Sequence, residues 1–310
     1  MIRKYIGMKK VLILYYSQSG QMKNILQSIF AESVFHSEKV ELHWKQITPV
    51  NKFKFPWGGT QFMDVFPESY FCVPSEVEHI EEGNISYDLI VIGYQPWFLS
   101  PSIPVSSFLQ SEQGKQLLKD KPVITVVGCR NMWINGQEKV KKMISDCGGR
   151  LKGNIVLQDN HHNLISLFTV IGWQVKGIKE KYWGFLPPSG VSESDIQSSG
   201  RFGPEIMHAL ITGEWDSLQN KLKSLGAVKV NTTLMLLELV GNRMFRLWAT
   251  LIRASGKPGS TMRNILLQVF MYYLIFAIFI GNTLFSVVSV VRSLFFRKSV
   301  KAQVEYFSGV

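Results

Sequence analysis

The sequence contains few cysteines, and none of them forms a recognisable motif. Its 310 residues include only Cys72, Cys129 and Cys147, which lie far apart and form neither a C-x-x-C pair nor a Cys/His metal spacing. This pattern excludes a disulfide framework and a zinc site and favours a reducing cytoplasm. The chain also has no Ser/His/Asp set that suggests a hydrolase, so the search for chemistry turns to its loops.

Acidic residues are scarce at the C-terminal end. From Gly241 onwards nine Lys and Arg residues face a single acid, Glu305, and of the formal net charge of +11 only +3 remains for residues 1–240. These basic residues surround apolar stretches, and no nucleic-acid motif accompanies them. The pattern therefore indicates anionic lipid head groups as the partner rather than nucleic acid.

An apolar run near the N-terminus ends abruptly in a hydroxyl-rich loop. The run Val11–Tyr16 is followed by Ser17-Gln18-Ser19-Gly20-Gln21, and a helical pattern extends from Asn24 to Phe35. A strand, a Ser/Gly turn and a helix in this order aim backbone N–H groups at one point, which predicts a site for an anionic ligand. The loop is neither a P-loop nor a G-x-G-x-x-G turn. The alternative is an ordinary strand-to-helix turn.

The same order of strand and loop recurs twice. The run 87–93 leads into Tyr94-Gln95-Pro96-Trp97-Phe98, and the run 121–127 leads into Gly128-Cys129-Arg130-Asn131. Together with strands predicted at 40–44 and 150–157, these segments predict a doubly wound, parallel, five-stranded α/β sheet. Its loops would converge at the carboxyl ends of the strands, where ligands bind. Trp97 or Tyr94 could stack on a flat ring there, although Trp97 could equally be a core aromatic.

Over residues 9–175 the chain resembles the flavodoxin-like superfamily, in which a Ser/Thr-x-Thr/Ser-Gly-x-Thr loop wraps the phosphate of FMN. The last hydroxyl position is Met22 here, and Asn24 is near enough to substitute for it. The resemblance implies FMN as cofactor. The residues that it assigns to FMN are Ser17, Gln18, Ser19, Gly20, Gln21, Pro96, Trp97, Phe98, Gly128, Cys129 and Asn131.

Three regions are predicted. Residues 1–180 form the flavodoxin-like domain, with an aromatic-rich insertion at about 49–86 that is either a lid or a packed surface subdomain. Residues 181–230 are a linker and loop region, and residues 231–310 form a basic and apolar helical region that associates with a membrane. Within it, the uncharged stretch 265–291 is long enough either to span a hydrocarbon core of ~30 Å or to lie in the interface.

In its length, loops and tail the chain resembles the flavodoxin-like dialkylresorcinol condensing enzymes, the aromatase partners of ketosynthases. This resemblance implies oxidation of an alkylated cyclohexanedione by the flavin, a lipid-like substrate and a ketosynthase as partner; a homodimer is compatible with it. His161 and His162 are candidate bases, and Arg130 could hold the flavin or an enolate. All three residues could instead be ordinary surface groups. Two rival functions are an NAD(P)H-dependent quinone or flavin reductase and a membrane-tethered scaffold without flavin.

Overall fold

A computed structural model describes residues 7–35, 39–58, 61–81, 83, 85–180 and 182–310. Parts of the predicted first domain, its insertion and the start of the predicted linker therefore lie outside the described residues. The strands are β1 (Lys9–Tyr15), β2 (Val40–Gln46), β3 (Leu89–Tyr94), β4 (Pro96–Trp97), β5 (Ser100–Pro101), β6 (Pro122–Cys129) and β7 (Arg150–Gln158). The helices are α1 (Gln21–Ile29), α2 (Glu32–Phe35), α3 (Gln61–Asp64), α4 (Phe66–Tyr70), α5 (Ile103–Leu109), α6 (Glu112–Leu118), α7 (Ile134–Asp146), α8 (Asn163–Lys176), α9 (Glu193–Ser198), α10 (Gly203–Thr212), α11 (Leu218–Ser224), α12 (Thr232–Ala254), α13 (Thr261–Phe295) and α14 (Arg297–Ser308).

Five parallel strands form the central sheet, in the order β2-β1-β3-β6-β7. This is the flavodoxin-like strand order, in which the chain starts near the middle of the sheet and winds outwards in both directions. The sequence prediction of fold class is confirmed. The central strands β1 and β3 are apolar on both faces, as expected for a parallel sheet covered by helices on each side.

Each face of the sheet carries its own hydrophobic core. Alternate residues of β1 point to opposite faces, so Leu12 and Leu14 pack with α5 and α7, whereas Val11 and Ile13 pack with α1. This alternation follows from the two-residue period of a strand. The helices are thereby fixed on both sides, and the loops at the carboxyl edge of the sheet acquire a rigid base.

The segment predicted as a linker is instead largely helical. Helices α9, α10 and α11 bring Ile196, Ile206, Leu210 and Leu222 into the core that contains α1, and Phe202, directly before α10, joins them. The Ser- and Gly-rich sequence around 195–203 suggested a loop because hydroxyl residues favour turns. Here Ser192 caps α9 by accepting a hydrogen bond from the backbone N–H of Asp195 at 3.1 Å, so the same residue types begin a helix.

The C-terminal region forms a helical hairpin followed by a short return helix. Helices α12 and α13 run antiparallel, with Thr232 Oγ1 3.0 Å from Ser289 Oγ at one end and Phe245 against Phe270 towards the other. Helix α13 has 35 residues, and its stretch Thr261–Gly281 is long and apolar enough to cross a membrane, with a mean hydropathy of 2.0. The helical C-terminal extension is therefore confirmed.

Candidate functional site

The three predicted loops meet at the carboxyl edge of the sheet around a cavity of about 570 Å³. Helices α8, α12 and α13 supply much of the rest of its wall, and Phe62 and Met63 of the aromatic insertion contribute to it as well. The predicted site residues that line it are Ser17, Gln18, Ser19, Gln21, Pro96, Trp97, Phe98, Gly128, Cys129 and Arg130. The sequence therefore predicted which loops come together, whereas the helical roof over them was not predicted.

The first loop has the features of an anion cradle. Gly20 has a φ of 86°, a left-handed conformation that favours glycine, and it sets the start of α1 directly after the loop. The first N–H groups of a helix have no partner within the helix and carry a partial positive charge. Beside them, Ser17 Oγ is buried and has no hydrogen-bond partner among the described residues. A phosphate oxygen would satisfy these donors.

The two glutamine side chains of this loop form hydrogen bonds with the backbone of distant segments of the chain. Gln18 Nε2 donates to the carbonyl oxygen of Lys54 at 3.2 Å, within the aromatic insertion. Gln21 forms a pair of hydrogen bonds with the backbone of Val191, at 3.1 and 3.2 Å. Any contact of Gln21 with an anion would therefore come from its backbone. Met22 is buried in the core, and Asn24 is exposed and does not line the cavity, so it does not replace the missing hydroxyl.

The second loop is a tight hairpin in a strained conformation. Strands β4 and β5 pair around Phe98 and Leu99, whose φ angles of 49° and 61° are unusual for bulky side chains. Phe98 is held by ring contacts with Phe62 and Phe66, at centroid distances of 4.9 and 5.3 Å. Backbone strain of this kind persists only where the surroundings over-determine it, and it is common at ligand sites.

The two aromatic candidates of the second loop have different places. Trp97 lines the cavity but is only 5% exposed, and its ring forms edge contacts with Tyr16, Phe53 and Trp57. Tyr94 is fully buried, and its hydroxyl donates to Gln137 Oε1 at 2.8 Å. The prediction that Tyr94 could stack on a ring is therefore wrong, because its side chain belongs to a hydrogen-bonded core network.

The third loop places a cation at the cavity. Arg130 Nη1 donates to the carbonyl oxygen of Asn163 at 3.0 Å, which ties the guanidinium to the start of α8. Burial lowers the pKa of Arg130 to about 10, so it remains charged at neutral pH. Asn131 donates to Asn163 Oδ1 at 2.7 Å and lies on a neighbouring cavity instead. Burial also raises the pKa of the Cys129 thiol, which makes it a neutral wall of the cavity.

His161 and His162 do not face the cavity of the three loops. They line a second, more polar cavity of about 540 Å³ on the other side of Asp159. His161 Nδ1 lies 2.6 Å from Asp159 Oδ1, and His162 caps α8 by accepting from the backbone N–H of Leu164. The chain turns away after β7, which carries both imidazoles to this second cavity. Asp159 lines both cavities, and sequence reasoning did not single it out.

Sequence reasoning missed Glu238 on α12, a carboxyl that lines the cavity of the three loops and is 1% exposed. Its Oε1 accepts from the backbone N–H of Asn135 at 2.6 Å, so it caps α7, which has no side-chain cap of its own. Burial outweighs these hydrogen bonds and raises the pKa of Glu238 to about 7. Its signal in the sequence was its isolation, because it is the only acidic residue between positions 231 and 304.

Comparisons with known proteins show limited likeness. No protein-family model and no curated protein matches the chain. Solved structures with similar folds include a flavoprotein from Lactobacillus acidophilus NCFM in complex with FMN, at 22% identity over 48% of this chain and 93% of that one, with a TM-score of 0.38. An oxidoreductase from Corynebacterium diphtheriae is 11% identical over 67% and 98%, with a TM-score of 0.35.

A flavodoxin from the domain Archaea is similar over 65% of this chain and 98% of its own length, at 12% identity and a TM-score of 0.33. Identities and TM-scores this low carry no argument about function. The flavodoxin-like fold of residues 9–158 rests instead on the order and direction of the five strands.

Proposed function

We propose that the protein is an FMN-dependent oxidoreductase that acts on an apolar ring substrate. The observation that carries this proposal is the shape of one cavity, in which a loop suited to a phosphate opens into an apolar chamber. The unpartnered Ser17 Oγ and the N-terminus of α1 would hold the single phosphate of FMN. Pro96, Phe98 and Gly128 line the same cavity and would flank its flat ring system. When bound, FMN supplies an acceptor for two electrons.

The walls of the chamber select an apolar substrate. Helix α12 contributes Leu237 and Met244, and α13 contributes Leu274 and Ile278. Pockets of this kind bind a ligand through apolar contact and orient it with a few polar groups. Arg130 is such a group, and its fixed positive charge would stabilise the developing negative charge of an enolate oxygen.

Glu238 is the group placed for a proton step. Its carboxyl lies in the cavity wall, and burial brings its pKa near neutrality, where a carboxylate is an effective general base. The reaction that we propose is the aromatisation of an alkylated cyclohexanedione to a dialkylresorcinol. In this oxidation the ring would lose a hydride and a proton; bound FMN would supply the hydride acceptor, and Glu238 would accept the proton. Glu238 thereby takes the role that was predicted for His161 and His162.

The cell compartment and partners are part of the same proposal. We expect the protein at the cytoplasmic face of the cytoplasmic membrane, because it combines an apolar C-terminal helix with an excess of basic residues. The substrate would be lipid-like, and a ketosynthase is the class of partner that would supply a dione.

Anaerobic spectroscopy tests the proposal. We expect protein purified in mild detergent and loaded with FMN to lose its flavin absorption when a 2,5-dialkylcyclohexane-1,3-dione is added, with the dialkylresorcinol as product. Bleaching by NAD(P)H but not by the dione would favour the quinone or flavin reductase. Failure of a folded protein to bind FMN would overturn the oxidoreductase and leave a scaffold.

A further inference from the structure

Helix α13 has two apolar faces, of which one is buried against the domain and the other is exposed. The inner face packs on the domain through residues such as Leu267, Phe270 and Ile278. The outer face recurs at helical spacing along the whole helix and is exposed. Its members include Ile265, Val269, Tyr272, Phe276, Ile280, Val287 and Leu294, each between 47% and 68% exposed. We call these seven residues the outer stripe; continuous apolar exposure of this length marks an interaction surface.

Both ends of α13 are fastened to the same domain. Near its start, Arg263 is 0% exposed and donates to Asp64 Oδ1 and Glu68 Oε2, each at 2.6 Å, in the aromatic insertion. After its end, α14 returns to the sheet domain, where Tyr306 donates to Glu138 Oε2 at 2.7 Å. A helix that crosses a bilayer must place its ends on opposite sides. These anchors keep both ends of α13 on one side.

Basic residues, like the anchors, lie at both ends of α13. Exposed basic residues lie at its start, where Arg253 and Lys257 precede it, and at its end, where Arg297, Lys298 and Lys301 follow it. A helix that lies flat in an interface presents both ends to the same layer of head groups. Positive charge at both ends therefore complements an anionic surface.

The outer stripe adjoins the mouth of the cavity. Ile171 of α8, Val240 of α12 and Ile275 of α13 line the cavity and are at the same time 37–48% exposed. The cavity consequently opens between these three helices, and its rim is apolar. A mouth of this composition would be poorly wetted by water and well matched to acyl chains.

We propose that α13 lies in the plane of an anionic membrane surface with its outer stripe in the acyl region, so that the cavity mouth opens into the lipid. The identity of the ligand that would pass through this mouth rests on the proposed function. The membrane position does not, because it follows from the anchors, the stripe and the charges.

Depth measurements on nitroxide-labelled, full-length protein test this position. Single cysteines replace Ile265, Phe276 or Val287 in a C129S background, in which Cys72 and Cys147 are buried. These sites are spread over ~33 Å of helix. In vesicles of phosphatidylglycerol and phosphatidylcholine, we expect all three labels at similar, shallow depth, ~5–10 Å below the head groups. A deep label at position 276 with shallow labels at 265 and 287 would show a spanning helix and overturn the proposal.

Further labels separate the parts of the proposal. A label in place of Ile171, at the mouth, should be accessible to lipid-soluble oxygen, whereas one in place of Glu112, an exposed residue of α6, should be accessible only to a water-soluble relaxant. A water-exposed label at 171 would overturn the lipid-facing mouth. Equal binding to neutral and anionic vesicles would overturn the charge argument, and spin coupling between copies at position 276 would show that a second chain covers the stripe. Each readout is made without FMN, so failure here is distinct from failure of the proposed function.

Discussion

Ser17 and Glu238 are two of the polar side chains that distinguish the cavity from an ordinary apolar core. The Ser17 hydroxyl has no partner among the described residues, although buried hydroxyls normally have one. Glu238 is a buried carboxyl, and the burial of such a group costs free energy that hydrogen bonds must offset. The hydrogen bond that it accepts from the backbone N–H of Asn135 gives it a role in folding, and its place in the cavity wall is the basis of its proposed role in catalysis.

Replacement of Ser17 by Ala should weaken FMN binding without reducing stability. The hydroxyl would donate to a phosphate oxygen, and a hydrogen bond to a charged group contributes roughly 1.5–3 kcal/mol, so we expect about a tenfold or greater rise in Kd. Quenching of FMN fluorescence measures the affinity. Ser28→Ala is the matched control, because its hydroxyl donates to the Gln197 carbonyl oxygen away from the cavity. Equal affinities for the two variants would contradict a phosphate at Ser17.

Replacement of Glu238 by Gln should separate its two roles. The amide oxygen can still accept from the N–H of Asn135, so we expect little change in Tm at pH 5, where the Glu238 carboxyl is protonated. The proton acceptor is lost, and we expect kcat for dione oxidation to fall about 100-fold, the usual range for a general base. Glu112→Gln, on exposed α6, is the control. Full activity of E238Q would leave Glu238 only as the cap of α7.

The pH dependence of stability should reveal the raised pKa of Glu238. Its folded-state pKa of about 7 lies above the ordinary 4.5, so the folded protein binds more protons than the unfolded chain between these values. The contribution of Glu238 to the free energy of unfolding therefore decreases as pH rises from about 5 to about 7. The neighbouring Cys129 and Tyr94 have raised pKa values and titrate above this window. Urea unfolding of wild type and E238Q at pH 5 and pH 8 measures the change. If the difference in free energy of unfolding between the two proteins were the same at both pH values, the raised pKa of Glu238 would be contradicted.

The loop residues that the sequence predicted differ in one physical respect from Glu238, which the sequence did not predict. Ser17, Trp97 and Gly128 lie at or just beyond the carboxyl ends of β1, β3 and β6, so the topology of the sheet alone brings them together. Glu238 reaches the same cavity only because α12 packs against α7, a contact between residues about a hundred positions apart. No local pattern encodes such a contact. His161 follows a strand as well, but the turn after β7 directs it to the neighbouring cavity.

At the scale of elements, the aromatic insertion packs against both helices of the C-terminal hairpin and holds them in place. Phe66 of α4 stacks on Phe270 of α13 with ring centroids 4.2 Å apart, and Tyr70 donates to Asn242 of α12 at 2.9 Å. The insertion, predicted as either a lid or a packed subdomain, packs against the helices that roof the cavity, and its Phe62 and Met63 also line the cavity.

Loss of the Arg263 ion pairs should weaken the contact between the aromatic insertion and α13. Arg263→Ala would leave Asp64 and Glu68 partly buried without a cation, and we expect unfolding to cost ~2–3 kcal/mol less. Thermal unfolding measures the loss, and hydrogen exchange should locate it in α13. Arg253→Ala, which removes an exposed charge, should change stability little. Equal losses of stability in the two variants would contradict the claim that these ion pairs hold α13 against the insertion.

Strands were easier to predict than the helices after residue 180. A buried parallel strand is a short apolar run between turns, and the runs at 11–16, 87–93 and 121–127 mark β1, β3 and β6 closely. Helices α9 to α11 are short and polar on their outer sides, so their composition resembled a loop. Their identity as core elements depends on a few residues, such as Ile206 and Leu222, that pack in the same core as α1 and β7.

At the scale of the whole molecule, the C-terminal helices change what a flavodoxin-like sheet offers to a ligand. The strand order provides a crevice at the carboxyl edge, and α12 and α13 close it into an apolar chamber. The same helices present the outer stripe and its flanking basic residues. The proposed ligand site and the proposed membrane-facing surface are thus built from one helical hairpin.

The most direct test of this account is a titration of the purified, detergent-solubilised protein with FMN, followed by visible absorption and flavin fluorescence. We expect stoichiometric binding, quenched fluorescence and a perturbed absorption band, with weaker binding by S17A. A folded protein that leaves the spectrum of FMN unchanged would contradict the central claim that the three loops and their helical roof form a flavin site.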